Sequence, residues 1–235
     1  YLMMLLALLP LIASAMFMFS PMPDMTSESA SSGTATAKRK TLGLVLFAAC
    51  IFFGSCAENV MSNWISSYTE TALHIDKAVG DLLGMAMFAV LLGAGRMAYS
   101  KFGKNIRPAL LGGMFGAACC YLVAGLAHSA LAAFLACIFT GLFTAMLWPG
   151  TLIMMEETLP GVGVAAYALM AAGGDLGASV APQLMGAVID KVSASPYVAG
   201  LAAGLHLSAE QVGLKAGMLV SAFFPLAGTV LIVLM

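Results

Sequence analysis

Six polar residues recur inside an otherwise apolar run, GSCAENVMSNWISSYTE: Ser55, Glu58, Asn59, Ser62, Asn63 and Ser66. Steps of three and four put them on one face of a helix. Lipid satisfies no such stripe, so it must meet other helices or a water-filled cavity. The Asn59 and Asn63 amides donate and accept hydrogen bonds, and Ser62 adds a hydroxyl. With the Trp64 and Tyr68 rings beside them, they suit a small polar solute such as a sugar, whose C–H surfaces stack on an aromatic face. Glu58 is a different kind of group. An ionisable side chain at membrane depth is costly and marks a functional candidate, here for taking up and releasing a proton. A polar contact between helices, with interfacial aromatics, is the competing reading.

A second constellation lies in 171–190, AAGGDLGASVAPQLMGAVID. Gly173, Gly174 and Gly177 permit close backbone approach, Pro182 can break the helix, and Asp175 and Gln183 are the polar groups. Two readings stand: a discontinuous helix of the kind that builds transport sites, or a small-residue packing face. Gly112 and Gly116 read as a packing pair. Thr140, Thr144 and Trp148 are expected to face inward, with a kink at Pro149. The segment GRMAYSKFGKNIR adds a basic turn. Gly95 allows a close helix approach there. Arg96 sits at the membrane edge, able to snorkel or pair, and Lys101, Gly103 and Lys104 make the turn itself.

The elements that must position these groups are membrane helices. Of 235 residues, 61% are hydrophobic and 9% charged, and mean hydropathy is +0.99. Soluble domains carry about 25% charged residues, so a soluble enzyme, a disordered tail and a secreted disulfide scaffold are excluded. The net charge of −1 leaves no basic footprint for nucleic acid. Cys50, Cys56, Cys119, Cys120 and Cys137 have neither disulfide nor metal spacing and read as small buried hydrophobes. His74, His128 and His206 sit near segment ends and read as interfacial, not as metal ligands. No metal and no cofactor is expected.

Runs of about 20 apolar residues predict seven spans, at roughly 1–20, 41–68, 77–99, 108–128, 129–155, 164–190 and 214–235. Residues 21–40, rich in Ser, Thr and Pro, read as a linker ending in three bases. The runs are too long for barrel strands. Lys38, Arg39, Lys40, Lys101, Lys104 and Arg107 fall on one side, against Lys77, Lys191 and Lys215 on the other. That asymmetry puts the first group in the cytoplasm. Asp76 reads as an N-cap, and Ser208 with Gln211 as a capping box that starts a helix near Ala209. The spans at 41–68 and 129–155 are expected at an inner face, and those at 108–128 and 214–235 at the periphery.

The linker ending KRK, the GRMAYSKFGK turn, the WPGTL and GGDLGASVAPQLMG stretches and the AENVMSNW segment together resemble the major facilitator superfamily, close to its bacterial fucose-permease type. The loop motif is degenerate, with Tyr99 and Ser100 where an acid is usual. The resemblance implies an all-α integral membrane protein of the inner or plasma membrane. Residues 1–20 would be the last helix of an N-terminal half, 21–40 the cytoplasmic linker, and 41–235 the C-terminal six-helix half, built as two inverted three-helix repeats. It implies a secondary transporter, not an enzyme, moving a small polar solute by alternating access in symport with protons. Its partners would be the solute, protons, the lipid bilayer and the N-terminal helices. Asn59, Ser62, Asn63, Trp64 and Gln183 would bind the solute. Glu58, then Asp175, would couple protons, and Gly95, Arg96, Lys101, Gly103 and Lys104 would form the gating loop. The alternatives are a non-transporting membrane receptor or assembly factor and an intramembrane aspartyl protease. The protease pattern needs Gly where this chain has Ala172.

Overall fold

The computed structural model describes residues 2–20 and 34–235. Regular structure among them is entirely helical. The 18-residue helix α1 (Leu2–Phe19) belongs to a unit of its own. At 1.5 Å per residue it reaches about 27 Å, the short end of what a bilayer core of about 30 Å requires. The second unit holds six helices long and apolar enough to cross a membrane: α2 (Lys40–Ala72), α3 (Lys77–Phe102), α4 (Ile106–Leu126), α5 (Ala130–Thr158), α6 (Gly163–Ser193) and α8 (Ala209–Leu234). A short helix, α7 (Pro196–Leu205), precedes the last of them. The chain is thus a multi-pass membrane protein, each span within a few residues of its hydropathy run. Residues 21–33 of the expected linker lie outside the described residues. Its remainder is corrected, because 34–40 are already helical and run straight into α2.

Local chemistry sets the helix starts. The Asp76 side chain accepts from the Ala78 and Val79 N–H groups and caps α3. At α8 the Gln211 N–H donates to Ser208 Oγ at 3.1 Å, and the Ser208 N–H donates to Gln211 Oε1 at 2.7 Å. α2 ends in a wide π-helical turn, Tyr68–Ala72, and α3 has another near its start, Gly80–Met85.

The first helix of each consecutive trio packs on the later helices of the other. α2 lies on α6 and α8, α5 lies on α3 and α4, and α4 meets α8. Two tyrosines tie α2 to α4: Tyr121 donates to the Ala57 carbonyl at 2.7 Å, and Tyr68 donates to the Ala124 carbonyl. Both side chains are fully buried. A phenol hydroxyl in an apolar interior must find an acceptor. This places Tyr68 in the α2–α4 contact and away from the polar stripe.

Several inward and outward expectations change. α4, expected at the periphery, buries Leu110, Met114, Ala117, Tyr121 and Ala124 completely, because its small residues admit neighbours on several sides. The packing pair is Gly113 with Gly116, both against Phe143, while Gly112 faces open space. Thr140, Thr144 and Thr151 are buried and bond their own helix four residues back, at 2.9, 2.9 and 2.6 Å, so their donors are spent within α5. Cys119 is exposed while the other four cysteines are buried.

The α2–α6 seam runs on glycine. A Cβ on Gly177 would lie 2.4 Å from the Phe52 carbonyl oxygen, and one on Gly173 would lie 3.0 Å from that of Ala48. Backbone atoms cannot step aside, so Gly177→Ala is expected to cost about 1–3 kcal/mol. Gly112→Ala, entering open space, should change stability by less than about 0.5 kcal/mol. Reversible unfolding in mixed micelles reads both, and equal stability of the two variants would contradict the seam.

Candidate functional site

The site begins with a missing hydrogen. Pro149 has no N–H, so the carbonyl four residues back, that of Ala145, loses its helical partner. The helix is interrupted there: α5 consists of Ala130–Thr144 and Leu147–Thr158, with Ala145 and Met146 as a turn between them. The break falls ahead of the proline, as the freed carbonyl requires. Arg96 of α3 supplies the absent donor, its Nε lying 3.0 Å from the Ala145 oxygen. Gly95 makes the approach possible, since a Cβ there would come within 2.6 Å of the Ala145 Cβ.

The other end of the same guanidinium faces Glu58 of α2, with Nη2 3.7 Å from Oε1. Glu58 lies near the middle of α2. Its side chain is 22% exposed and that of Arg96 46%, so the pair sits at the edge of the bundle, only partly enclosed by it. One arginine thus holds three helices together, through a carboxylate on α2 and a broken turn on α5. A second polar link joins α2 and α3 farther along, where Ser66 Oγ donates to Asp81.

The rest of the stripe spends its donors within α2. Asn59 Nδ2 donates to the Ser55 carbonyl at 3.0 Å and to Ser55 Oγ at 3.2 Å. Ser62 Oγ and Asn63 Nδ2 both donate to the Asn59 carbonyl, at 3.2 and 2.8 Å. These bonds stay within α2, so the amide oxygens of Asn59 and Asn63 have no protein partner among the described residues. Asn63 is exposed, while Asn59 and Ser62 are half-buried. Trp64 turns to α6, where its indole N–H donates to the Pro182 carbonyl at 3.1 Å.

On α6, Asp175 and Gln183 are both exposed at the surface of the six-helix body. Ser179, between them, donates to the Asp175 carbonyl at 2.8 Å. Positions 175, 179 and 183 follow one another up one side of the helix. The contacts of Gly173 with Ala48 and of Gly177 with Phe52 set Asp175 beside residue 50 of α2. Asp175 is therefore about 12 Å along the axis from Glu58, and the two acids do not meet. Gly173 and Gly177 face α2, and Gly174 lies under the Trp148 indole, so these glycines take the packing role.

The basic turn divides. Arg96 belongs to the network with Glu58 and Ala145. Lys101 and Lys104 are exposed, with the Lys101 ammonium 5.5 Å from the Phe102 ring. Gly103 ends α3, its N–H donating to the Tyr99 carbonyl at 2.7 Å. Among the described residues no group of three or more His, Cys, Asp or Glu side chains is placed to hold a metal ion. What sequence reasoning missed is the Ala145 carbonyl. The signal was present, because a proline inside an apolar helix always frees a carbonyl four residues earlier.

No protein-family description matches the chain, and no characterised protein matches it in sequence.

Proposed function

We propose that this chain carries one six-helix half of a secondary transporter of the major facilitator type, moving a small polar solute in symport with protons. The observation that carries the reading is the Glu58–Arg96 pair set against the break in α5. When Glu58 is ionised it holds Arg96 electrostatically. When Glu58 binds a proton, that hold is lost and Arg96 keeps only the Ala145 carbonyl. Proton occupancy thereby alters how α2, α3 and α5 are tied, which is the coupling that symport needs.

Asn59, Ser62 and Asn63 offer unspent acceptors beside Glu58, and Trp64 an aromatic edge. Asp175 and Gln183 extend the polar face on α6. A carboxylate in the middle of an apolar helix is costly against lipid, so this face meets water or a second helical body. The reciprocal packing of α2–α4 against α5, α6 and α8 supports inverted three-helix repeats. Sugars are the first solutes to test. Cells producing the protein should take up at least one labelled sugar faster than control cells, with a pH gradient raising the final level. No sugar-dependent uptake, or uptake indifferent to the gradient, contradicts the reading.

The reading also sets an orientation. The turn at 103–105 shares its end of the bundle with the start of α2, and by the basic asymmetry that end faces the cytoplasm. In a cysteine-free background, Ser195→Cys should react with an impermeant maleimide on intact cells and Phe102→Cys should not. The reverse pattern would invert the topology.

A further inference from the structure

All three histidines of the chain line one cavity of about 540 Å³. It opens at the end of the bundle opposite the basic turn, among the ends of α2, α4 and α7 and the starts of α5 and α8. His74 follows α2, His128 lies between α4 and α5, and His206 follows α7, so more than 130 residues separate the outer two in sequence. Lys215 of α8 adds an amine head. Its Nζ donates to the Ala127 carbonyl at 2.7 Å, at the C-terminal end of α4, where a cation also meets the negative end of the helix dipole.

The hydrogen bonds decide which imidazoles remain available. Gln211 Oε1 is committed to the Ser208 N–H of the capping box, so its amide nitrogen points the other way. That nitrogen reaches the Ala72 carbonyl at 3.4 Å and His74 Nε2 at 2.8 Å. A nitrogen that only donates must meet an accepting ring nitrogen, which assigns the His74 Nε2 lone pair to Gln211. His128 and His206 make no hydrogen bond to the protein among the described residues.

Among the described residues no carboxylate lines the cavity. The acids of the adjoining segments are otherwise engaged or exposed. Asp76 caps α3, Glu70 pairs with Lys77 at 3.7 Å, and Glu210 is exposed on the first turn of α8. The remaining wall is apolar, including Leu73, Leu126 and Leu207. The geometry points to a binding site for a small organic anion: an acidic head held by Lys215, His128 and His206, and an apolar body against the leucines. A protonated imidazole holds an anion more tightly than a neutral one, so acidification strengthens the hold. The site lies about 20 Å along α2 from Glu58 and does not rest on the transport reading.

Benzenesulfonate, ionised throughout, is the probe, because only the protein then titrates. With the chain in lipid nanodiscs and empty nanodiscs as blank, binding should be about tenfold tighter near pH 5.5 than near pH 8. His128→Gln with His206→Asn should flatten that dependence, asparagine being chosen because it accepts the left-handed backbone of His206. Each single variant should remove part of it. Lys215→Met should weaken binding at both pH values. Phenyltrimethylammonium should not bind. PH-independent binding by the parent, or an unchanged pH response in the double variant, overturns the site. Inorganic sulfate binding as tightly as benzenesulfonate overturns the apolar-body assignment.

Discussion

Replacing Glu58 by glutamine is expected to abolish uphill solute accumulation driven by a pH gradient while leaving solute exchange largely intact. Glutamine keeps the shape and can still meet Arg96 through its amide oxygen, but it cannot ionise. The tie between proton occupancy and the α2–α3–α5 contact is therefore lost, and the binding stripe is not. Asn63→Ala should do the opposite, weakening solute binding by about 1–3 kcal/mol if one hydrogen bond is lost. Paired measurements in proteoliposomes, net uptake under a pH gradient and exchange without one, separate the two. Full proton-driven accumulation by Glu58→Gln would rule Glu58 out and move attention to Asp175.

Arg96→Leu has the second large effect. It strips the partner from Glu58 and a side-chain donor from the Ala145 carbonyl in one step. Removing one member of a fully buried pair costs about 3–5 kcal/mol, because the survivor is left uncompensated. Arg96 is close to half exposed, so about 1–2 kcal/mol is expected here. The double variant Glu58→Gln with Arg96→Leu should be more stable than Arg96→Leu alone, since the orphaned charge is gone. A double-mutant cycle from unfolding in mixed micelles checks this. Additive effects would mean that the 3.7 Å approach carries no coupling.

Much of the scaffold could be read from the chain because it is local. An apolar run long enough to cross a bilayer announces itself, and the caps at Asp76 and Ser208 depend on residues no more than three apart. What failed to show is rotation. Whether Gly112 or Gly113 faces Phe143 depends on how α4 is turned, which no single helix decides. The same holds for Thr140 and Thr144, which by pattern belong to a polar face and by packing belong to the interior. The site itself was half visible. Glu58 stood out by cost, and Arg96 by its place near a turn. Their meeting required α2 and α3 to be set side by side, and the role of Ala145 required a third helix. The histidines looked unrelated for the same reason, since only the folded bundle draws three loop ends together.

The crossed tyrosines bear on how the chain is made. Tyr68 and Tyr121 each place a hydroxyl at a carbonyl of the other's helix, across α2 and α4, with α3 synthesised between them. Until α4 has entered the membrane, neither hydroxyl has this acceptor, and a lone phenol in hydrocarbon is penalised. As each helix leaves the translocon in turn, the arrival of α4 closes both bonds together. α2 to α4 thus closes these two bonds early, while Trp64 and Arg107 still wait for their carbonyls on α6 and α8. The network around Arg96 is the later event, waiting on α5 for its carbonyl. A ribosome-stalled chain long enough for α4 to have cleared the ribosome should already protect Tyr121 from aqueous modification, and one stalled with α4 still in the exit tunnel should not.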